Sequence, residues 1–150
     1  MGASSFAQLL EQRKNQIEKK SLSERRRIGR WRLALAELGL KINKWLDEPI
    51  KRKLVELSTY DKTIDEERLG TYAVKGWAVS LGGRRVTFDP VATYVVGAFG
   101  RVDIVGPTAK FILLREKDDG HWSLLDPSDP RRLAPLTKDV FERTLLTALG

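Results

Sequence analysis

Six large apolar residues between positions 28 and 45 follow one another at alternating steps of three and four. Residues at these steps lie on one face of an α-helix, so the pattern predicts a helix that runs to about Leu46 and buries that face. Leu33 and Leu40 widen this apolar face, and packing either within the chain or between two chains would bury it. This packing stripe, which we predict to hold the helix-packing or interface residues, consists of Ile28, Trp31, Leu35, Leu38, Ile42 and Trp45.

Weaker helical patterns flank the packing stripe on both sides. Residues 6–20 carry a thin apolar stripe among polar side chains. Ser21 and Glu24 have the spacing of a capping box, which predicts a joint between two helices. Pro49 predicts a stop and a restart, because proline fits the first turn of a helix but disfavours helix before it. A short third helix over residues 50–57 would follow, so we predict two or three N-terminal helices. The thin stripe consists of Phe6, Leu9, Leu10 and Ile17.

The formal net charge of +7 is carried entirely by the first 58 residues. They hold 14 Lys and Arg against 7 Asp and Glu, whereas residues 59–150 hold 13 of each kind. This asymmetry predicts a basic helical arm or helix hairpin over residues 1–58, serving oligomerisation or partner docking, and a β-rich body over residues 59–150.

The basic residues of the helical front also support a second interpretation. Arginine-rich helices bind phosphate backbones through counterion release, without any contact to bases. Glu37 interrupts the basic side of the helix, and Trp31 belongs to the packing stripe, so an ordinary solvated face is favoured over an anion surface. The residues that would contact nucleic acid or another anion are Arg25, Arg26, Arg27, Arg30, Arg32, Lys41 and Lys44.

Gly82-Gly83 separates two segments rich in β-branched and aromatic residues, which predicts a hairpin with a two-residue turn. In that register Val79 faces Val86 and Trp77 faces Phe88, and both apolar pairs share one sheet face. Further strands are predicted over residues 91–97, 101–105, 110–116 and 121–125, followed by an irregular connector over 126–130. We therefore expect an antiparallel β-meander of five or six strands, curled by strand twist into a small barrel or half-barrel.

Thr137 is predicted to cap a final helix that runs through Leu149 and lays an apolar face on the sheet. The fold class is therefore α+β, with a helical N-terminal segment, an antiparallel meander and a C-terminal capping helix. A meander followed by such a helix resembles pleckstrin-homology-like folds in architecture only, and fold does not imply function.

The sequence contains no constellation typical of catalysis or metal binding. There is no cysteine, and the single histidine, His121, falls at a predicted turn, which excludes Cys/His pairs and His clusters. Asp89 and Asp103 would support a carboxylate-based enzyme only if they converged in a pocket. An ion pair with Arg101 accounts for Asp103 without catalysis. We therefore expect no enzymatic activity, no metal, no cofactor and no small-molecule ligand.

No stretch of the sequence is typical of a membrane span or a signal peptide, and the absence of cysteine permits a reducing compartment, so we expect a cytoplasmic protein. Together these patterns favour a non-catalytic interaction or adaptor protein whose basic N-terminal helices self-associate or dock on a protein partner. The first alternative is a nucleic-acid-binding protein that contacts phosphates through the arginine-rich helix. The second, less favoured, is a small carboxylate-based enzyme.

Overall fold

The structure, a computed structural model, describes residues 3–118 and 120–150, with the side chains of residues 3 and 4 outside the description. It is an α+β fold in which a long N-terminal helix and a C-terminal helix accompany one antiparallel sheet. The helices are α1 (Ala3–Trp45), α2 (Asp47–Lys51) and α3 (Lys138–Leu149). The strands are β1 (Glu56–Glu66), β2 (Gly70–Leu81), β3 (Arg84–Ala92), β4 (Gly100–Val105), β5 (Lys110–Arg115), β6 (Trp122–Asp126) and β7 (Asp129–Pro135).

Helix α1 is continuous over 43 residues, which corresponds to a length of about 65 Å. The predicted joint at Ser21 is therefore wrong. Leucine, glutamate and arginine surround Ser21 and favour helix, so the hydroxyl does not displace the backbone ladder. The predicted third helix is also wrong beyond Lys51: α2 ends there, Lys53 adopts a positive φ of 58°, and β1 begins at Glu56.

The seven strands pair in chain order, each antiparallel to the next, and β1 does not pair with β7 among the described residues, so the sheet is open. The Gly82-Gly83 hairpin is confirmed, with Val79 opposite Val86 and Trp77 opposite Phe88. Thr137 is confirmed as the cap of α3, because its hydroxyl accepts the backbone N–H of Val140.

The predicted count of five or six strands is wrong, because β1 and β7 were not recognised and one predicted strand does not form. Strand β1 reads ELSTYDKTIDE, whose polar residues give little strand pattern. Strand β7 contains two prolines, which a strand tolerates at the edge of a sheet. Residues 93–99 are a connection rather than a strand, with Gly97 at a φ of 77°.

One hydrophobic core joins α1, the sheet and α3. Four members of the packing stripe, Trp31, Leu35, Leu38 and Ile42, are at most 3% exposed, whereas Ile28 and Trp45 are half-buried. On one flank of α1, Gly39 faces the ring of Trp77 in β2. On the other flank, Trp31 lies with its ring centre 5.9 Å from that of Trp122 in β6.

The two interior glycines of α1 provide a matched test of this packing. A Cβ at Gly39 would lie 2.4 Å from the Trp77 ring, whereas a Cβ at Gly29 would meet nothing within 4 Å. Alanine gains about 1 kcal/mol of helix propensity at either position, but overpacking against a buried ring costs about 1–3 kcal/mol. We expect Gly29→Ala to raise the free energy of unfolding by urea, and Gly39→Ala to lower it or leave it unchanged. An equal gain in both variants would contradict the packing of α1 on β2.

Candidate interaction surface

Helix α1 divides into a packed half and a projecting segment. Every residue from 6 to 22 is exposed, and we call residues 6–22 the projecting segment. It carries the thin apolar stripe, whose members are between 54% and 64% exposed. Phe6 and Ile42 are 36 positions apart, about ten helical turns, so the thin stripe lies on the same helix face as the packing stripe. One apolar face therefore runs along α1 and is covered by the sheet only in its C-terminal half.

Arg27 holds the helix at the place where α1 leaves the body. Its guanidinium donates to the carbonyl of Thr93 at 2.7 Å, to the hydroxyl of Thr93 at 3.3 Å and to the carbonyl of Phe99 at 3.4 Å. It also lies 3.8 Å from the ring centre of Tyr94 and 4.5 Å from that of Phe99. Such forked donation and stacking orient an arginine strongly, so this contact ties α1 to residues 93–99 at the point where the helix leaves the body.

Glu66, at the end of β1, binds the same segment that Arg27 contacts. Its carboxylate is buried and accepts the backbone N–H groups of Thr93 at 3.1 Å and Tyr94 at 2.9 Å, together with the hydroxyl of Tyr72. Burial, and then the hydrogen bond to Glu66, raise the pKa of Tyr72 far above its ordinary value, so the hydroxyl stays protonated and keeps donating. The connection over residues 93–99 is thereby held against both α1 and the first hairpin.

The seven predicted anion-contact residues do not form one free surface. Arg27 is engaged as above, Arg30 pairs with Asp118, and Arg32 donates twice to the carbonyl of Ala73, at 3.0 and 2.8 Å. Arg25 and Arg26 are exposed and make no hydrogen bond or ion pair with any described residue. Of the other two, Lys44 is exposed and Lys41 is half-buried.

A groove runs between α1 and the first two strands, and we call it the α1–β1 groove. One cavity of about 460 Å³ lies between Arg32, Leu35 and Ala36 of α1 and Thr59, Asp61, Ala73, Val74, Lys75 and Trp77 of the hairpin. A second, of about 480 Å³, shares Thr59 and Trp77 and extends along α1 to Asn43. Sequence reasoning missed this groove, because one of its walls is β1, whose polar residues gave no signal.

The outward face of α1, between its two flanks, presents Leu33 and Leu40. They are 67% and 71% exposed. On the flank away from the groove, Glu37 pairs with the buried Arg115 of β5 at 3.1 Å. Leu33 and Leu40 therefore lie opposite the buried packing stripe and face solvent, with no second helix of the described chain against them.

Asp89 and Asp103 lie opposite each other in the β3–β4 pairing. Each has cationic or hydroxyl partners: Asp89 accepts from Tyr60 and Lys62, whereas Asp103 pairs with Arg101 at 2.7 Å and with Lys110 at 3.3 Å. Burial and Asp89 raise the pKa of Tyr60. This arrangement is an ion network along the sheet, and neither carboxylate lines the α1–β1 groove.

His121, the single histidine, is exposed. Within residues 3–118 and 120–150, no three His, Cys, Asp or Glu side chains are grouped as metal ligands would be. None of the described helices is long and apolar enough to cross a membrane.

The chain matches no known protein-family model, no curated protein and no solved structure.

The contribution of the Arg27 contact can be tested by comparing substitutions at Arg27 and at its sequence neighbour Arg26. Arg27→Lys keeps the charge but loses the forked donors, so we expect the free energy of unfolding to fall by about 1–3 kcal/mol. Arg26→Lys changes an exposed residue without described partners and should leave that free energy unchanged. Urea denaturation of the two variants measures the difference, and equal effects would show that Arg27 does not hold α1.

Proposed function

We propose that this protein is a non-catalytic interaction protein that docks through the projecting segment of α1, on a protein partner or on a second copy of itself. The observation that supports the proposal most is the thin apolar stripe. Its four large side chains continue a helix face that is buried elsewhere, yet in the projecting segment they are exposed.

Exposed apolar side chains in register mark interaction sites more often than single exposed ones do. Burying a large apolar side chain contributes about 1.5–3 kcal/mol, and helices in proteins are stabilised mainly by packing of their apolar face. Docking of the projecting segment would therefore stabilise both the contact and the helix that makes it.

The body acts, in this proposal, as the rigid support of the docking helix. The packing stripe anchors α1 in the core, and Arg27 orients it where it emerges. We infer that the sheet curls around α1 as a half-barrel, since opposite flanks of α1 contact β2 and β6. The likeness to pleckstrin-homology-like folds remains one of architecture, and the absence of catalysis, the absence of a cofactor and the cytoplasmic location remain predictions.

A nucleic-acid-binding function is the second candidate, favoured by the exposure of Arg25 and Arg26 without described partners. Binding through phosphates weakens steeply as salt rises, because counterions are released on binding. Binding through the thin apolar stripe depends little on salt. How strongly binding depends on salt and on Arg25 and Arg26 therefore separates the two candidate functions.

The test of the docking proposal is photocrosslinking in the native cell. A photoreactive phenylalanine at Leu10 should crosslink to one or a few proteins, and Ile17→Lys in the same chain should abolish those crosslinks. Position Leu33 is the matched control, because it is also exposed, 67% against 54% for Leu10, but lies on the opposite face of α1. Identical crosslinks from Leu10 and Leu33 would contradict the proposal, and crosslinks from Leu10 to nucleic acid would favour the second candidate.

A further inference from the structure

The projecting segment of α1 carries four cations against two glutamates, and this charge is not spread evenly around the helix. We propose that the partner of the projecting segment is a different protein, which presents an acidic amphipathic helix: an apolar face flanked by carboxylates. This inference rests on the proposed function and narrows it, because it names the chemistry of the partner and excludes a second copy of this chain.

Arg13 lies within the thin apolar stripe. It follows Leu10 by three positions and precedes Ile17 by four, which places all three residues on one face of the helix. Lys20 follows Ile17 by three positions and continues the same line. Arg13 and Lys20 are exposed and make no hydrogen bond or ion pair with any described residue. A partner that covers the thin stripe therefore meets two cations.

The glutamates of the projecting segment lie away from this face. Glu11 and Glu18 each come one position after a residue of the thin stripe, which turns them about 100° away from it. Glu18 pairs with Lys14 at 4.0 Å, between exposed side chains. Glu24, four positions after Lys20, lies beyond the segment and is half-buried next to the body. Within residues 6–22, no carboxylate therefore lies on the face of the thin stripe.

The position of Arg13 determines the chemistry of the partner. A protein that buries the thin stripe also removes the Arg13 guanidinium from water, which is costly unless an opposite charge faces it. A carboxylate can hold a guanidinium through two parallel hydrogen bonds. Side chains spaced three and four apart match those of a second helix with the same spacing. An amphipathic helix with aspartate or glutamate beside its apolar face meets both requirements.

A second copy of the chain does not meet these requirements. Arg13 lies midway between Phe6 and Lys20, so two projecting segments that meet along this face place two Arg13 side chains together, whichever way the helices run. Like charges in such a contact repel. An anionic membrane suits helices whose cations lie on the polar side, whereas Arg13 lies among the apolar residues. The distribution of charge therefore favours a different, acidic protein.

The experiment compares two charge reversals in the full chain, Arg13→Glu and Lys19→Glu. Both variants change the net charge by the same amount, and both residues are exposed, so the fold is preserved, which circular dichroism verifies. Lys19 follows Ile17 by two positions and lies on the opposite side of the helix, which makes Lys19→Glu the matched control. The probes are two fluorescent amphipathic peptides with a leucine face, one flanked by glutamates and the other by lysines. Fluorescence anisotropy measures their binding.

We expect the wild type and Lys19→Glu to bind the glutamate peptide at least about tenfold more tightly than the lysine peptide. Arg13→Glu should lose this preference, because carboxylates of the peptide then meet a carboxylate. Equal losses in the two variants would show only attraction to the net positive charge and would overturn the proposal. Binding of the wild type to vesicles that contain phosphatidylserine, without binding of the glutamate peptide, would overturn it in favour of a lipid surface.

The crosslinks from Leu10 in the native cell separate a failure of this inference from a failure of the docking function. We expect Arg13→Glu to abolish these crosslinks and Lys19→Glu to keep them, and we expect the crosslinked peptide of the partner to be rich in aspartate and glutamate. Crosslinks that persist in Arg13→Glu, or that join two copies of the chain, would overturn the acidic partner and leave the docking function standing. The absence of any crosslink from Leu10 would overturn both proposals.

Discussion

The burial of the packing stripe of α1 against the sheet is the interaction on which the rest of the structure depends. Trp31, Leu38 and Ile42 are fully buried, and they bring together strands from both ends of an open meander. The apolar face of an open sheet must be covered by other elements. Here α1 and α3 together cover it. Without α1, the rings of Trp77 and Trp122 would face water.

Because α1 is continuous, the same interaction also positions the surface that we assign to binding. The core fixes the rotation of the helix about its axis, and this rotation sets the direction in which the thin stripe points. Arg27 and Glu66 both bind Thr93, which ties α1 to the sheet at the point where the helix leaves the body. The continuous helix α1 thus both completes the core and presents the face that we propose for docking.

The parts of the fold that follow strong local patterns could be predicted from the sequence. The packing stripe, the Gly82-Gly83 hairpin and the Thr137 cap each depend on residues close together in the chain. Strand β1 could not be recognised from its own polar sequence, because the strand is stabilised by pairing with β2 over eleven residues. The α1–β1 groove was missed for the same reason, and Ser21 suggested a cap that a continuous helix does not require.

Hydrogen exchange along α1 measures the central claim most directly. In dilute solution, we expect the amides of residues 31–45 to exchange only through global unfolding, together with those of β3 and β4, because they share one core. The amides of residues 6–22 should exchange much faster, since nothing in the described chain covers them. Equal protection along the whole of α1, or loss of protection at residues 31–45 while the sheet stays protected, would contradict the account.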